Sequence, residues 1–443
     1  MSNHPLTSRR PLLAAAIALA LLAPAAAAAD DSREAALEAR IEQLERLVAE
    51  LVAERAAAPA AAPAPAAAPA APAIQTTPIL TAANPGTRFS AGGFIKLDAM
   101  LSDTSRADIA DGSAGRLFYL PQSIPVAGVS EGADADFHAQ FSRLWFGADG
   151  EFDGKPVRAY LEFDLFGGAL GSEASTNTYG VTVRHAYVSW DRWLAGQTWS
   201  NFQDVAALPD AVDFIGPTEG TTFVRQAQLR YTKGPWTLSI ENPETVLTPY
   251  RAGAGRLASD DGALPDLTAR WTRRGDWGHV GIAALLRSMR HEALPGADGR
   301  ETGFGLSGSG RFNLGARDDL RWMVTAGRGI GRYVGLGLST DAVLDEGGDL
   351  HATDLVAGFV GWRHVFNPRL RGNLFYSRAE IDNDTALTGL GITRRAHSAH
   401  ANLIYTPLPK LDIGAELIWG QRETEDGASG ELRRLHTHVK YSF

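Results

Sequence analysis

The chain has no cysteine. That excludes structural disulfides, cysteine-ligated zinc and a lipid anchor on an N-terminal cysteine. Methionine is scarce, four in 443 residues, while glycine reaches 47 and Trp, Phe and Tyr are frequent; this balance points away from a helical protein. Beyond the N-terminal region no apolar run approaches the ~20 residues that a membrane helix needs. Basic residues are the minority, 42 against 51 acidic, for a formal charge of -9. Non-specific nucleic-acid binding is therefore not expected. Catalytic signatures are missing too: there is no G-x-S-x-G elbow, Walker loop or H-E-x-x-H. One dinucleotide-type spelling, Gly303-Phe-Gly-Leu-Ser-Gly308, sits inside an alternating run with no helix behind it, which removes its mechanism. Length alone would suggest two or three ordinary domains.

What is present begins with a targeting pattern. Arg9 and Arg10 precede an apolar stretch from Leu12 to Ala23, then Pro24 and small residues up to Ala29. This order predicts a secretory signal over 1–29, cut before Asp30; a membrane anchor would need a longer apolar core. Over 30–55, Leu37, Ile41, Leu44, Val48 and Leu51 form the four-three stripe of a coiled coil. Ala/Pro repeats then open a semi-rigid linker over 56–87. The linker holds the helix away from the rest of the chain, so self-association is a better reading than a helix lying on its own domain.

From 88 to 443 one pattern recurs: about ten residues of period-two alternation, a turn, and another such run. In FIKLDAML, Ile95, Leu97, Ala99 and Leu101 oppose Lys96, Asp98 and Met100. In the last run Leu435, Thr437, Val439, Tyr441 and Phe443 oppose Arg434, His436, His438, Lys440 and Ser442. About sixteen such runs, short turns alternating with long polar loops, and Trp190, Tyr231, Trp271, Trp362, Tyr405 and Tyr441 beside the short turns predict an outer-membrane barrel with an interfacial aromatic girdle. A large soluble β-sandwich or solenoid would not need these features together. The expected fold class is all-β: a 16-stranded antiparallel transmembrane β-barrel with an N-terminal α-helical coiled coil. A barrel this wide encloses an aqueous lumen, and its inward set reads as polar and charged almost throughout.

The stretches GGFIKLDAML, HAQFSRLWFG, YLEFDLFGG, VRHAYVSW, AGQTWSNF, LPDAVDFIGP and RQAQLRY resemble the DcaP-type trimeric outer-membrane porins. The likeness covers the signal, coiled coil, linker and first barrel half. It is densest from Arg143 to Glu244, and the second half matches more in architecture than in wording. The resemblance implies a homotrimer of sixteen-stranded barrels, a periplasmic coiled coil, and uptake of small anionic solutes of dicarboxylate type. Outer-membrane lipids and such solutes are then the partners, a periplasmic partner of the coiled coil stays open, and no cofactor is expected.

Alternation assigns Lys96, Arg158, Arg230, Arg270, Arg287 and Arg311 to the lumen, with Arg321, Arg371, Arg434 and Lys440 further on. Arg143 joins them if Leu144 and Phe146 face lipid. Guanidinium groups grip carboxylates bidentately and keep their charge, which suits an anion relay. The competing reading has them pair with Asp98, Glu162, Asp164, Glu241 and Glu416 and only stiffen the wall. His436 and His438 share a face and are expected to solvate the lumen rather than hold a metal. The irregular excursion inside 196–225 carries Asp204, Asp210, Asp213, Gly216, Pro217 and Glu219. Loops of this length are usually functional or disordered. As the third long loop it is expected to fold inward as a constriction, with Asp210 and Asp213 facing the arginine wall; pairing with loop arginines or a neighbouring subunit is the alternative. Two other classes of function compete: an envelope tether acting through the coiled coil, and an outer-membrane hydrolase, for which no stretch offers a clear nucleophile–histidine pair.

Overall fold

A computed structural model describes residues 86–168, 179–294 and 297–443. The expected signal, the coiled coil and nearly all of the linker lie outside the described residues. β1 (Arg88–Thr104) is followed by β2, which runs as Asp134–His138 and resumes as Arg143–Phe152. Then come β3 (Lys155–Asp164), β4 (Thr182–Trp190), β5 (Trp193–Trp199), β6 (Arg225–Lys233), β7 (Trp236–Glu241) and β8 (Asp266–Gly275). The second half comprises β9 (Gly278–Leu294), β10 (Ala297–Leu314), β11 (Asp318–Arg328) and β12 (Asp354–Asn367). It closes with β13 (Leu370–Asp382), β14 (Thr393–Leu408), β15 (Leu411–Thr424) and β16 (Ser429–Ser442).

Each strand pairs antiparallel with the next, and β16 returns to β1 with Phe94 opposite Ser442 and Thr104 opposite Leu432. Both pieces of β2 pair with β1, so the closed barrel has sixteen staves. Closure leaves no open edge, so the backbone needs no water along the membrane span. The alternation holds. Ile95, Leu97, Leu101, Phe146, Leu161, Phe304, Leu306, Leu435 and Val439 are exposed outside, while Asp98, Ser307, Ser309, His436 and His438 are buried inside. Exposed apolar and buried polar side chains suit an apolar surrounding solvent. The aromatic girdle stands on the outward face: Trp193 and Tyr231 lie 4.8 Å apart, and Trp236 pairs with Trp271.

The girdle end carries the short turns. Asp153 and Gly154 show why: with φ of 51° and 68° they form a two-residue hairpin loop of the kind that needs positive φ at both positions. The other end carries loops L1 (105–133), L3 (200–224), L4 (242–265), L6 (329–353) and L7 (383–392), and L2, between β3 and β4, is described at 165–168 and 179–181. Two connections there, L5 (295–296) and L8 (425–428), are short rather than long; L5 instead joins strands of 17 and 18 residues.

One strand departs from regular pairing, and one expectation needs correction. β2 is interrupted at 139–142, where the Ser142 hydroxyl takes the Lys96 N–H (3.0 Å) that a ladder carbonyl would otherwise accept. The inward face is also not polar throughout. Ala283 and Leu285 on β9, Leu355 and Ala357 on β12, Ala379 and Ile381 on β13 and Ala396 on β14 form one core with Phe202 of L3 and Ile330, Tyr333, Val334 and Leu338 of L6. The upper lumen is a packed interior because two loops fill it, and burying loop side chains demands apolar partners.

Candidate functional site

L3 leaves β5, enters the barrel and attaches to the inward side chains of most staves. At its start, Arg270 Nε on β8 donates to the Asn201 carbonyl (2.7 Å), and the Asn201 N–H donates to Glu241 Oε1 on β7 (2.8 Å). Asp204 then meets His279 of β9 (3.0 Å), accepts from the Ser309 hydroxyl of β10 (2.8 Å) and lies 3.7 Å from Arg270. Burial opposes ionisation of this carboxyl, but His279, Arg270 and Ser309 together bring its pKa down to about 2. Arg321 of β11 holds the Leu208 carbonyl.

Further along, Arg371 on β13 donates to Asp210 (2.6 Å) and Asn402 on β14 to the Asp210 carbonyl (3.0 Å). The Val212 N–H donates to Glu416 of β15 (2.6 Å), and Lys96 Nζ of β1 to the Val212 carbonyl (2.9 Å). Asp213 is fully buried. Its oxygens accept from the backbone N–H of Tyr119 in L1 (2.7 Å), of Ile215 (3.0 Å) and of Gly216 (3.1 Å), and face His436 Nδ1 of β16 at 3.4 Å. Burial works against the Asp213 charge; His436 and the backbone donors outweigh it and hold the carboxyl well below the usual range. His436 also contacts Asp98 (2.8 Å), which pairs with Lys96 (2.7 Å).

Beyond the bend at Gly216 (φ 85°), Pro217 leads into a single 3-10 turn, Thr218–Gly220, that forms the loop tip. The Gly220 N–H donates to Ser377 of β13 (2.9 Å), and a Cβ at 220 would stand 2.3 Å from the Gly358 carbonyl of β12. Only glycine allows this approach. L6 locks the return: the Phe223 N–H donates to the Tyr333 carbonyl (2.9 Å), and Tyr333 Oη donates to Asp266 (2.7 Å).

The facing wall, β2 to β6, differs in charge. Arg184 on β4 grips Glu162 (2.9 Å) and Asp164 (3.0 Å), and Arg143 on β2 stands 3.6 Å and 3.7 Å from the same two acids. Arg225, at the head of β6, lies 4.9 Å from the Trp199 ring centroid, with Arg184 5.9 Å from it. Lower down, Arg158 is 43% exposed, 3.7 Å from Asp149 and over the Tyr160 ring. Trp145, Tyr160 and Tyr187 continue a ladder of rings there, with centroids 5.9 and 5.5 Å apart. Arg230 donates to the Trp199 carbonyl.

The residues singled out from sequence therefore separate into groups. Arg143, Arg158 and Arg230 lie together on the β2–β6 side; Arg311 is inward on β10 opposite Arg321. Lys96, Arg270 and Arg287 point inward as alternation requires, but they do not line an open lumen. Their charges are enclosed by loop contacts, and the Arg287 side chain, 1% exposed, bridges Asp266 (3.1 Å) and Asp341 (2.8 Å). Of the two acids expected to face inward arginines, Asp210 meets one, Arg371 on β13 (2.6 Å), while Asp213 meets His436 on β16 (3.4 Å); neither pairs with Arg143 or Arg158. The hydrophobic Phe214 is what turns to the other side, stacking on Phe141 at 4.3 Å beneath Arg184.

Alternation missed Arg184 because a bulge opposite Glu162/Phe163 turns both Arg184 and His185 inward. It also missed the histidines as loop seats. Among these is an acid–base–nucleophile spacing: His400 Nδ1 lies 2.8 Å from Glu416 and Nε2 3.1 Å from the Ser398 hydroxyl. All three are buried beneath the loop, and the strand backbone around them is paired on both sides, so no free N–H pair waits for an oxyanion. No cluster of metal ligands occurs among the described residues.

A closed sixteen-strand sheet, apolar outside, with loops folded into a polar interior, defines an outer-membrane channel of porin architecture. The model of the DcaP outer membrane protein family matches residues 153–443, and the chain belongs to that family; the match takes in the second barrel half but not the signal, coiled coil and linker that the motif resemblance also included. The crystal structure of the outer membrane channel DcaP of Acinetobacter baumannii is similar at 24% identity and a TM-score of 0.66, covering 81% of this chain and 98% of that one. A loop L8 deletion mutant of OmpT from Vibrio cholerae matches with a TM-score of 0.50 at 11% identity, over 81% and 100% of the two chains. No curated protein sequence matches. The protein is thus a channel of the Gram-negative outer membrane, and its family is not one of enzymes.

Proposed function

We propose that this channel is a homotrimeric porin for diffusive uptake of small organic anions, dicarboxylates first, through a lumen whose free charge is arginine. One observation carries the reading. On the lumen side of β2 to β6, Arg143, Arg158 and Arg184 share Asp149, Glu162 and Asp164, while Arg225 and Arg230 form no ion pair among the described residues. Fixed cations in excess at a narrow, low-dielectric passage concentrate anions and repel cations. Two guanidinium groups on neighbouring strands also suit a solute with two carboxylates. A cleaved signal over 1–29, a periplasmic coiled coil over 30–55 and a linker over 56–87 complete the proposal. The test is the reversal potential of the reconstituted channel across a salt gradient. Anion preference, with current block by millimolar-range dicarboxylate, is the expected result; clear cation preference overturns the assignment. The coiled-coil stripe with its stiff linker supports a second role as an envelope tether, which deletion of 32–55 would remove while leaving transport in place.

A further inference from the structure

We propose that Glu219 is a proton switch for L3: its neutral carboxyl lets the loop tip seat against β12–β14, and its ionisation drives the tip out and widens the pore. The proposal rests on the porin reading only for its effect on current. Glu219 stands in the single 3-10 turn that forms the tip and has no exposed surface. Neither carboxyl oxygen has a hydrogen-bond partner within range, and the adjacent Tyr119 hydroxyl lacks one as well. Every other carboxyl of the seated loop is compensated: Asp204 by His279 and Arg270, Asp210 by Arg371, Asp213 by His436 and three backbone donors.

The groups that surround Glu219 favour its charge only in part, and burial outweighs them. Tyr119 comes from L1, and Ser398 and His400 come from β14. His400 is committed through Nδ1 to Glu416 of β15 (2.8 Å). Ser377 of β13 serves the neighbouring Gly220 N–H, and L6 approaches with Gly335. The next charges out are the Asp213 carboxylate, reached through the Tyr119 N–H, and His436 beyond it. A buried carboxylate in this setting is costly, so the group keeps its proton instead.

The sign follows. Burial raises Glu219 above its ordinary value of 4.5, so seating the tip binds a proton. The seated state is favoured at low pH and is lost as pH rises through the seated value. Loss of a proton from His436 would weaken the seat in the same direction, and Glu219→Gln separates the two.

Because the chain has no cysteine, Ala211→Cys offers one thiol for a nitroxide on the seated segment. In detergent-purified protein the mobile component of its spectrum should grow at least ~5-fold between about pH 5 and about pH 9. Adding Glu219→Gln should abolish that growth, or shift its midpoint up by about one pH unit or more. In bilayers the unlabelled channel should gain conductance over the same range, and Glu219→Gln should hold it low. A spectrum independent of pH, or a Glu219→Gln variant that titrates like the parent, overturns the switch. A titrating spectrum with no channel current would leave the switch standing and refute the porin reading instead.

Discussion

Removing the Asp213 side chain tests whether L3 is held inside the barrel by the contacts described. Asp213→Ala leaves the N–H groups of Tyr119, Ile215 and Gly216 without their acceptor, and His436 with Asp98 alone. Each buried donor left unmade costs ~1–3 kcal/mol, less where water or a rotated peptide can reach it. Taking ~3 kcal/mol as the net loss after relaxation, the seated-to-released ratio falls about 10²-fold. That is enough to make release frequent. The barrel itself should survive, since its closure rests on strand ladders that do not involve Asp213. Single-channel recording is the assay, with heat-modifiable gel mobility as the check on the folded barrel. Conductance should rise and open-channel noise should increase as the loop exchanges positions. Asp213→Asn, which keeps one oxygen acceptor, should fall between the two. Unchanged conductance and noise in a correctly folded Asp213→Ala channel would refute the claim that this carboxylate holds the constriction.

Two further outcomes follow from the lumen. Arg143→Ala combined with Arg158→Ala should raise the dicarboxylate concentration needed for half-block by about tenfold or more, since a hydrogen bond to a charged partner is worth ~1.5–3 kcal/mol; equal block would make these arginines wall struts. The Asp204 anchor has a lowered pKa, so its contribution to loop seating is fully present above the ordinary 3.8 and is lost as pH falls through about 2. The label on Ala211→Cys should therefore show no Asp204-dependent release at mildly acid pH, and His279→Ala, which removes the shortest ion-pair contact of Asp204, should move such release to higher pH.

The barrel was legible because period-two alternation is a local signal. A residue either faces lipid or it does not, and the membrane removes intermediate cases, so Leu97 and His438 read correctly from their neighbours alone. The site was less legible because it is made by pairings remote in sequence. Asp98 and His436 are brought together only by barrel closure, and Asp213 joins them only when L3 crosses the lumen. Arg184 failed for a different reason: one bulged residue reverses the parity on which the reading depends. The apolar inner positions, Leu355 and Ile381 among them, carried a signal that was present but open to misreading. Weak alternation, as over 354–364, marks the places where a loop rather than water covers the inner wall.

The two walls of the lumen also resolve how an acidic chain can favour anions. The formal charge of -9 is a sum over loops, termini and both rims, and a solute at the constriction responds only to charges within about a Debye length that are not already matched. On β13 to β16 and β1 the carboxylates of Asp210 and Asp213 in L3 and of Asp98 and Glu416 in the wall are matched one by one by Arg371, Lys96, His436 and backbone N–H groups. Such pairs present little field beyond their own contact distance. On β2 to β6 the matching is incomplete: Arg184 takes the short contacts to Glu162 and Asp164, leaving Arg143 at 3.6 and 3.7 Å from carboxylates already engaged. Arg158 stands more than two-fifths exposed at 3.7 Å from a single acid. The proposed anion preference therefore comes from the loop acids being turned to the wall that neutralises them. A loop seated the other way round, with Asp210 and Asp213 against Arg143 and Arg158, would cancel the incompletely matched cations of this wall and weaken the preference for anions.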